Sequence, residues 1–163
     1  MVIFLHGWVG SWRYWIPAMQ HASTGYRTYA LDFWGFGESG KKRETYAVSD
    51  FVTLVDQFME QLGIVHAPLV GHSMGGTVSL SVAIKYPERL QRLSIMNVPH
   101  PAVMRRFLLR DLEQFRRSWY VFFFQLPWIP EAGMRQDNWR GAERALRGSG
   151  KINSFTNEDI EKY

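Results

Sequence analysis

Four short apolar runs, each closed by a polar residue or a glycine, alternate along the first hundred positions with segments whose apolar residues recur every three or four places. Val2-Ile3-Phe4-Leu5 stops at His6-Gly7, Tyr26 to Leu31 ends at Asp32, Ala67 to Val70 runs into Gly71, and Leu90 to Met96 ends at Asn97. Runs of this length, several without alternation, predict strands covered on both faces, as in a parallel sheet. Between them, Trp12, Trp15, Ile16 and Met19 share a helical face that ends near Ala22, with Gly25 as the stop. Ser49 or Asp50 is placed to cap a second helix with the face Val52, Val55, Met59 and Leu62, stopped by Gly63. Met74 to Tyr86 forms a third, closed by Pro87, while Phe33 to Arg43 is rich in glycine and charge and reads as a loop. Each parallel return needs a crossover helix, so the rhythm predicts an α/β fold with a doubly wound, mostly parallel sheet.

The pattern changes at Pro99-His100-Pro101. Beyond it Met104, Leu108, Leu112, Phe115, Trp119 and Phe122 form a helical stripe, followed by the loop-like Leu126-Pro127-Trp128-Ile129-Pro130 and a polar tail. The chain therefore divides into residues 1–100, the sheet, and residues 101–163, an appended helical subdomain. Arg105, Arg106, Arg110, Arg116 and Arg117 lie along that stripe, and solvated arginines on a helix whose apolar side packs inward are a better account of them than a membrane surface.

Composition narrows the function classes. With 163 residues, 46% of them hydrophobic, the chain has enough apolar surface for one core and no room for two ordinary domains. There are no cysteines, which removes disulfides, thiolate metal sites and cysteine nucleophiles, and nothing in the pattern calls for a metal or a cofactor. A net charge of +4 is modest and dispersed, so no nucleic-acid partner is expected. The start carries no basic region or cleavage site of a signal peptide, and Val121 to Phe124 is far short of the roughly 20 apolar residues of a membrane span. A cytoplasmic protein without a membrane span is the expectation.

The chemistry lies in Gly71-His72-Ser73-Met74-Gly75-Gly76, which has the G-x-S-x-G form between a predicted strand and a predicted helix. A serine on so tight a turn needs neighbours two residues away on each side without side chains, and the turn pushes its Oγ out over the end of the sheet. The helix N-terminus behind it offers N–H groups and positive potential to an oxyanion. Asp32-Phe33-Trp34-Gly35-Phe36-Gly37-Glu38-Ser39 lacks the spacing of a dinucleotide loop and reads as a structural turn, with Asp32 holding backbone N–H groups. His6 and His72 read as loop-fixing histidines.

Taken in order, His6-Gly7-Trp8, the Asp32 to Ser39 loop and the Ser73 elbow resemble the α/β-hydrolase superfamily over residues 1–97. The resemblance implies an incomplete α/β-hydrolase core, with Ser73 as nucleophile and the backbone N–H groups of Trp8 and Met74 as the oxyanion hole. Asn97-Val98-Pro99-His100-Pro101 and Trp119 to Pro127 further resemble the epoxide-hydrolase-like branch, which makes residues 101–163 the start of a helical cap. It also implies that Tyr120, with Trp8, binds substrate, since a cap tyrosine in that branch hydrogen-bonds the substrate oxygen. The branch has an aspartate where this chain has Ser73. An aspartyl ester is opened by water at its carbonyl and a serine ether is not, so serine here implies acyl transfer, on an ester-like bond in a small apolar substrate.

A serine nucleophile needs an acid and a histidine later in the chain. His100 is the one histidine after Ser73, and Glu88 the one acid between them; neither stands where the family places its partners. The chain accordingly reads as a fragment, a truncated product or one piece of an interrupted gene, inactive as it stands. A sheet without its later strands also leaves an open edge, at which oligomers or aggregates are expected. A non-catalytic binding protein of the same fold and an epoxide-hydrolase relative with altered chemistry are the alternatives.

Overall fold

The computed structural model describes residues 1–41, 44–98, 128–135 and 140–149, with positions 103, 113, 123, 126, 156 and 157. The chain falls into two units, Met1–Val98 and Pro99–Tyr163. In the first, β1 (Val2–Leu5) leads through a 3-10 turn (Trp12–Trp15) into α1 (Ile16–Ala22) and β2 (Thr28–Leu31). Then follow α2 (Val48–Gln61), β3 (Ala67–His72), α3 (Met74–Lys85), a 3-10 turn (Pro87–Arg89) and β4 (Leu90–Met96). The sheet order is β2-β1-β3-β4 and every pairing is parallel. Chain direction across the sheet reverses between β1 and β3, so the strand ends there form the crevice in which open α/β sheets bind ligands.

Alternate residues of β1 feed two cores, which is why the strand reads as continuously apolar. Ile3 and Leu5 join Leu69, Val52, Val55, Met59, Val78 and Val82 beneath α2 and α3. Val2 and Phe4 face the other way, onto Trp15 and, through it, α1. Helices on both faces make the sheet doubly wound, as expected.

Several boundaries differ from the sequence expectation, each for a local reason. The first helix divides into the 3-10 turn and α1, with Pro17 in the opening turn of α1, where its missing N–H costs nothing. Ala47, not Ser49 or Asp50, is the N-cap of α2; Asp50 works from inside the first turn, accepting the Ala47 N–H at 2.9 Å and the Thr45 hydroxyl at 2.7 Å. Leu62, expected on the apolar face of α2, is exposed, and Phe51 is buried in its place. Gly63 does stop that helix: at φ 65 it donates to Glu60, while Ile64 donates to Met59 at 2.8 Å. β3 runs two residues further than its apolar pattern, to His72.

β4 pairs with β3 along one side, and Gln91, Arg92, Ser94, Ile95 and Met96 are exposed. In the second unit the loop-like segment and polar tail contain α4 (Ile129–Arg135), with Pro130 in its first turn, and α5 (Arg140–Ser149). Glu143 and Arg147, one turn apart on α5, pair at 2.9 Å. The Met104 to Phe122 stripe, its five arginines, His100 and Tyr120 lie outside the described residues. No helix among the described residues is long and apolar enough to cross a membrane.

Candidate functional site

Ser73 joins β3 to α3 in a conformation that L-residues rarely adopt, φ 52 and ψ −116. Its N–H still belongs to the sheet, donating to Met96 of β4 at 2.9 Å, while its carbonyl already belongs to the helix, accepting from Gly76 and Thr77 at 3.0 and 3.1 Å. Strand thus becomes helix within one residue. A serine at a helix N-cap ordinarily turns its hydroxyl back onto the first turn, whereas Ser73 makes no such capping bond. The strain, of order 1–3 kcal/mol, is held by the packing on either side.

That packing explains the glycines. A Cβ at Gly71 would lie 2.5 Å from the Gly75 carbonyl oxygen and 2.6 Å from Ser79 Oγ, and one at Gly75 would overlap the carbonyl of Leu5 and come within 2.6 Å of that of His6. The first turn of α3 rests directly on the ends of β1 and β3. Met74, the first residue of α3, follows the elbow, so the positive end of a twelve-residue helix lies behind Ser73.

Trp8 belongs to the turn that leaves β1, closed by Gly10 N–H on the Gly7 carbonyl at 3.1 Å. A Cβ at Gly7 would be 3.2 Å from Ser73 Cβ, so this turn and the elbow adjoin at the same end of the sheet. Val9, the third residue of the turn, takes φ 61, a value that glycine adopts far more readily than a β-branched residue. Trp8 itself is exposed.

Below this turn His6 is fully buried. Its Nδ1 donates to the Gly7 carbonyl at 2.7 Å and its Nε2 accepts the Phe33 N–H at 3.1 Å, partners suited to the neutral ring. Burial holds its pKa below the ordinary value, outweighing the Gly7 bond and the attraction of Asp32, whose Oδ1 lies 3.7 Å from Nε2. Asp32 accepts the backbone N–H groups of Trp12 at 2.5 Å and Glu38 at 2.9 Å, and its carbonyl accepts the Ser39 hydroxyl at 2.7 Å. Both residues tie the loops leaving β1 and β2 to each other.

His72, just before Ser73, carries a stacked ring from Tyr14, with centroids 5.4 Å apart and planes at 24°. Its Nε2 lies 3.5 Å from the Asn97 amide nitrogen, and burial lowers its pKa. The sequence pattern gave no sign of Tyr14, which sits off the apolar stripe of its helix, or of the left-handed turn at Val9, whereas the one at Asn97 (φ 52) falls on a residue type that favours it. A glycine or asparagine at position 9 would have signalled the first of these.

His6 makes stability depend on pH. Its folded pKa is lowered, so below about pH 6.5 the unfolded chain takes up a proton that the folded chain resists, and stability falls with pH toward the folded pKa, by at most roughly 1.4 kcal/mol per pH unit. Thermal midpoints recorded between pH 7.5 and 5.5 are expected to drop, with a shallower slope in His6→Asn, whose amide does not titrate.

The alpha/beta hydrolase fold family model matches residues 1–132. Across its whole length the chain is 31% identical to human Epoxide hydrolase 4, covering 47% of that protein. It is 32% identical to the AB hydrolase superfamily protein YfhM of Bacillus subtilis, covering 100% of this chain and 58% of that one. A Bacillus megaterium epoxide hydrolase crystallised with an inhibitor matches at a TM-score of 0.85 and 30% identity, over 98% of this chain and 57% of that one. The chain spans about half the length of the curated relatives it matches. With the elbow, the adjoining turn and the parallel sheet all in family order, the chain belongs to the alpha/beta hydrolase fold family.

Proposed function

We propose that this is a cytoplasmic serine hydrolase in which Ser73 attacks the carbonyl of an ester-like bond in a small apolar substrate. The N–H groups of Trp8 and Met74 receive the oxyanion, and Trp8 and Tyr120 contact the substrate. The observation that carries the reading is the left-handed Ser73 between Gly71 and Gly75, its hydroxyl not spent on capping α3. In the reaction Oγ adds to the carbonyl, the alcohol leaves with a proton, and water opens the acyl-enzyme to regenerate the serine.

Proton transfer needs a base beside Ser73. Glu88 does not qualify, because it lies in the 3-10 turn that enters β4, at the end of the sheet opposite the elbow. His72 adjoins Ser73 but packs against Tyr14. The names of the relatives favour a second reading, epoxide opening, and the serine weighs against it, since the resulting ether has no carbonyl for water to attack.

Assayed on short p-nitrophenyl esters, the 163-residue chain is expected to turn over faintly, on the order of a thousandfold above water, the residue left when a triad lacks a member. Ser73→Ala should remove the acyl-enzyme seen by intact mass. An unchanged adduct in the alanine variant would rule Ser73 out as nucleophile, and a diol formed from an epoxide would favour the second reading. Where turnover is measurable, Tyr120→Phe should lower kcat/KM about tenfold with folding intact. Equal values would leave Tyr120 a packing residue. Among the described residues β4 is an edge strand with Ile95 and Met96 exposed, so light scattering is expected to report oligomers, reduced by Ile95→Lys.

A further inference from the structure

The turn that carries Trp8 is held from two directions. Toward β2 it is held by His6 and by Asp32, through the N–H of Trp12. Toward β3 it is held by aromatic rings. Phe4 of β1 packs on buried Trp15 with centroids 5.0 Å apart, Trp15 meets Tyr14 edge-on at 5.2 Å and 86°, and Tyr14 stacks on His72 at 5.4 Å. The rings run unbroken from the core beneath β1 to the residue before Ser73. At the far end, a Cβ at Gly7 would come within 2.9 Å of His72 Nδ1, so the turn itself rests on that imidazole.

We infer that the ring series Phe4–Trp15–Tyr14–His72 is a clamp that sets the distance between the Trp8 turn and the Ser73 elbow, which makes Tyr14 and His72 positioning residues for the oxyanion hole. This inference rests on the serine-hydrolase reading. Oxyanion donors act only within a few tenths of an ångström of the developing charge, and these two come from different strands. Val9 and Ser73, on the two sides of the gap, both hold strained left-handed backbones that relax if their surroundings loosen. Ring pairs have preferred relative orientations, so the series fixes direction as well as contact. Half-buried His72, its pKa lowered by burial, presents a neutral face to Tyr14.

The test uses the 163-residue chain with Tyr14→Leu, Tyr14→Phe and His72→Ala, read by hydrogen exchange and by the rate at which a fluorophosphonate probe labels Ser73. In Tyr14→Leu and His72→Ala, peptides covering residues 6–11 and 72–76 should exchange about tenfold faster and labelling should slow about tenfold, while α2 keeps its protection. Tyr14→Phe keeps the ring and should restore both rates to within about twofold of the parent. If Tyr14→Leu fails to fold, His72→Ala carries the comparison. Unchanged exchange in the folded variants overturns the clamp, even if labelling falls. Faster exchange with no labelling of Ser73 in any protein, the parent included, supports the clamp and is what a serine without its partner base gives, whereas labelling of the parent that persists in Ser73→Ala overturns the serine-hydrolase reading.

Discussion

The site depends on how closely α3 lies on the ends of β1 and β3. Its first turn packs against the carbonyls of Leu5 and His6 so tightly that no side chain fits at Gly75, and none fits at Gly71 on the strand opposite. With strand and helix in backbone contact, the residue between them has no ordinary conformation available and is driven to φ 52. The position of half-buried Ser73, its hydroxyl free of a capping bond, and the direction of the helix dipole follow from that one contact. Widening it by a methyl group would move all three together.

The same economy appears at each strand exit. Beyond β1, β2, β3 and β4 the chain turns through a left-handed residue: Val9, then Gly35 and Gly37, then Ser73, then Asn97. Glycine takes such angles without strain and asparagine with little, but Val9 and Ser73 do not, and strain of order 1–3 kcal/mol apiece persists only where neighbours over-determine the backbone. Here the neighbours are identifiable. His6 and Asp32 satisfy the backbone groups of the first two exits, and the sheet bond from Ser73 to Met96 holds the third against the fourth. This is a preorganised surface, with its polar groups set in place before any ligand arrives.

Much of this was legible in the sequence because it follows from pattern. A strand buried on both faces must be apolar throughout, and Val2 to Leu5 is; a helix stopped by a left-handed residue calls for glycine, and Gly63 supplies it. The elbow was legible because only glycine fits at 71 and 75. What escaped was set by tertiary contact. Leu62 fits the helical period as well as Phe51 does, but the helix turns Phe51 onto Phe33 and leaves Leu62 exposed at its C-terminal end. Tyr14 lies off the stripe, so no periodicity distinguishes a ring stacked on His72 from one in solvent. Val9 contradicts its own preference, and a local rule cannot foresee a residue that the fold overrides.

The likeness to epoxide hydrolases and the identity of residue 73 pull toward different reactions, and the scaffold accommodates both. A helix N-terminus behind residue 73, with the backbone donors proposed for Trp8 and Met74, would stabilise negative charge developing above the elbow, whether on an acyl oxygen or on a carboxylate nucleophile. They do not decide how the covalent intermediate is opened. That depends on where its carbonyl lies. With an aspartate the carbonyl belongs to the enzyme, so an alkyl substituent can be released by water; with a serine the carbonyl must come from the substrate. With Ser73 as the proposed nucleophile the substrate has to bring its own acyl carbon, and family membership constrains the shape of the site more than the bond it breaks.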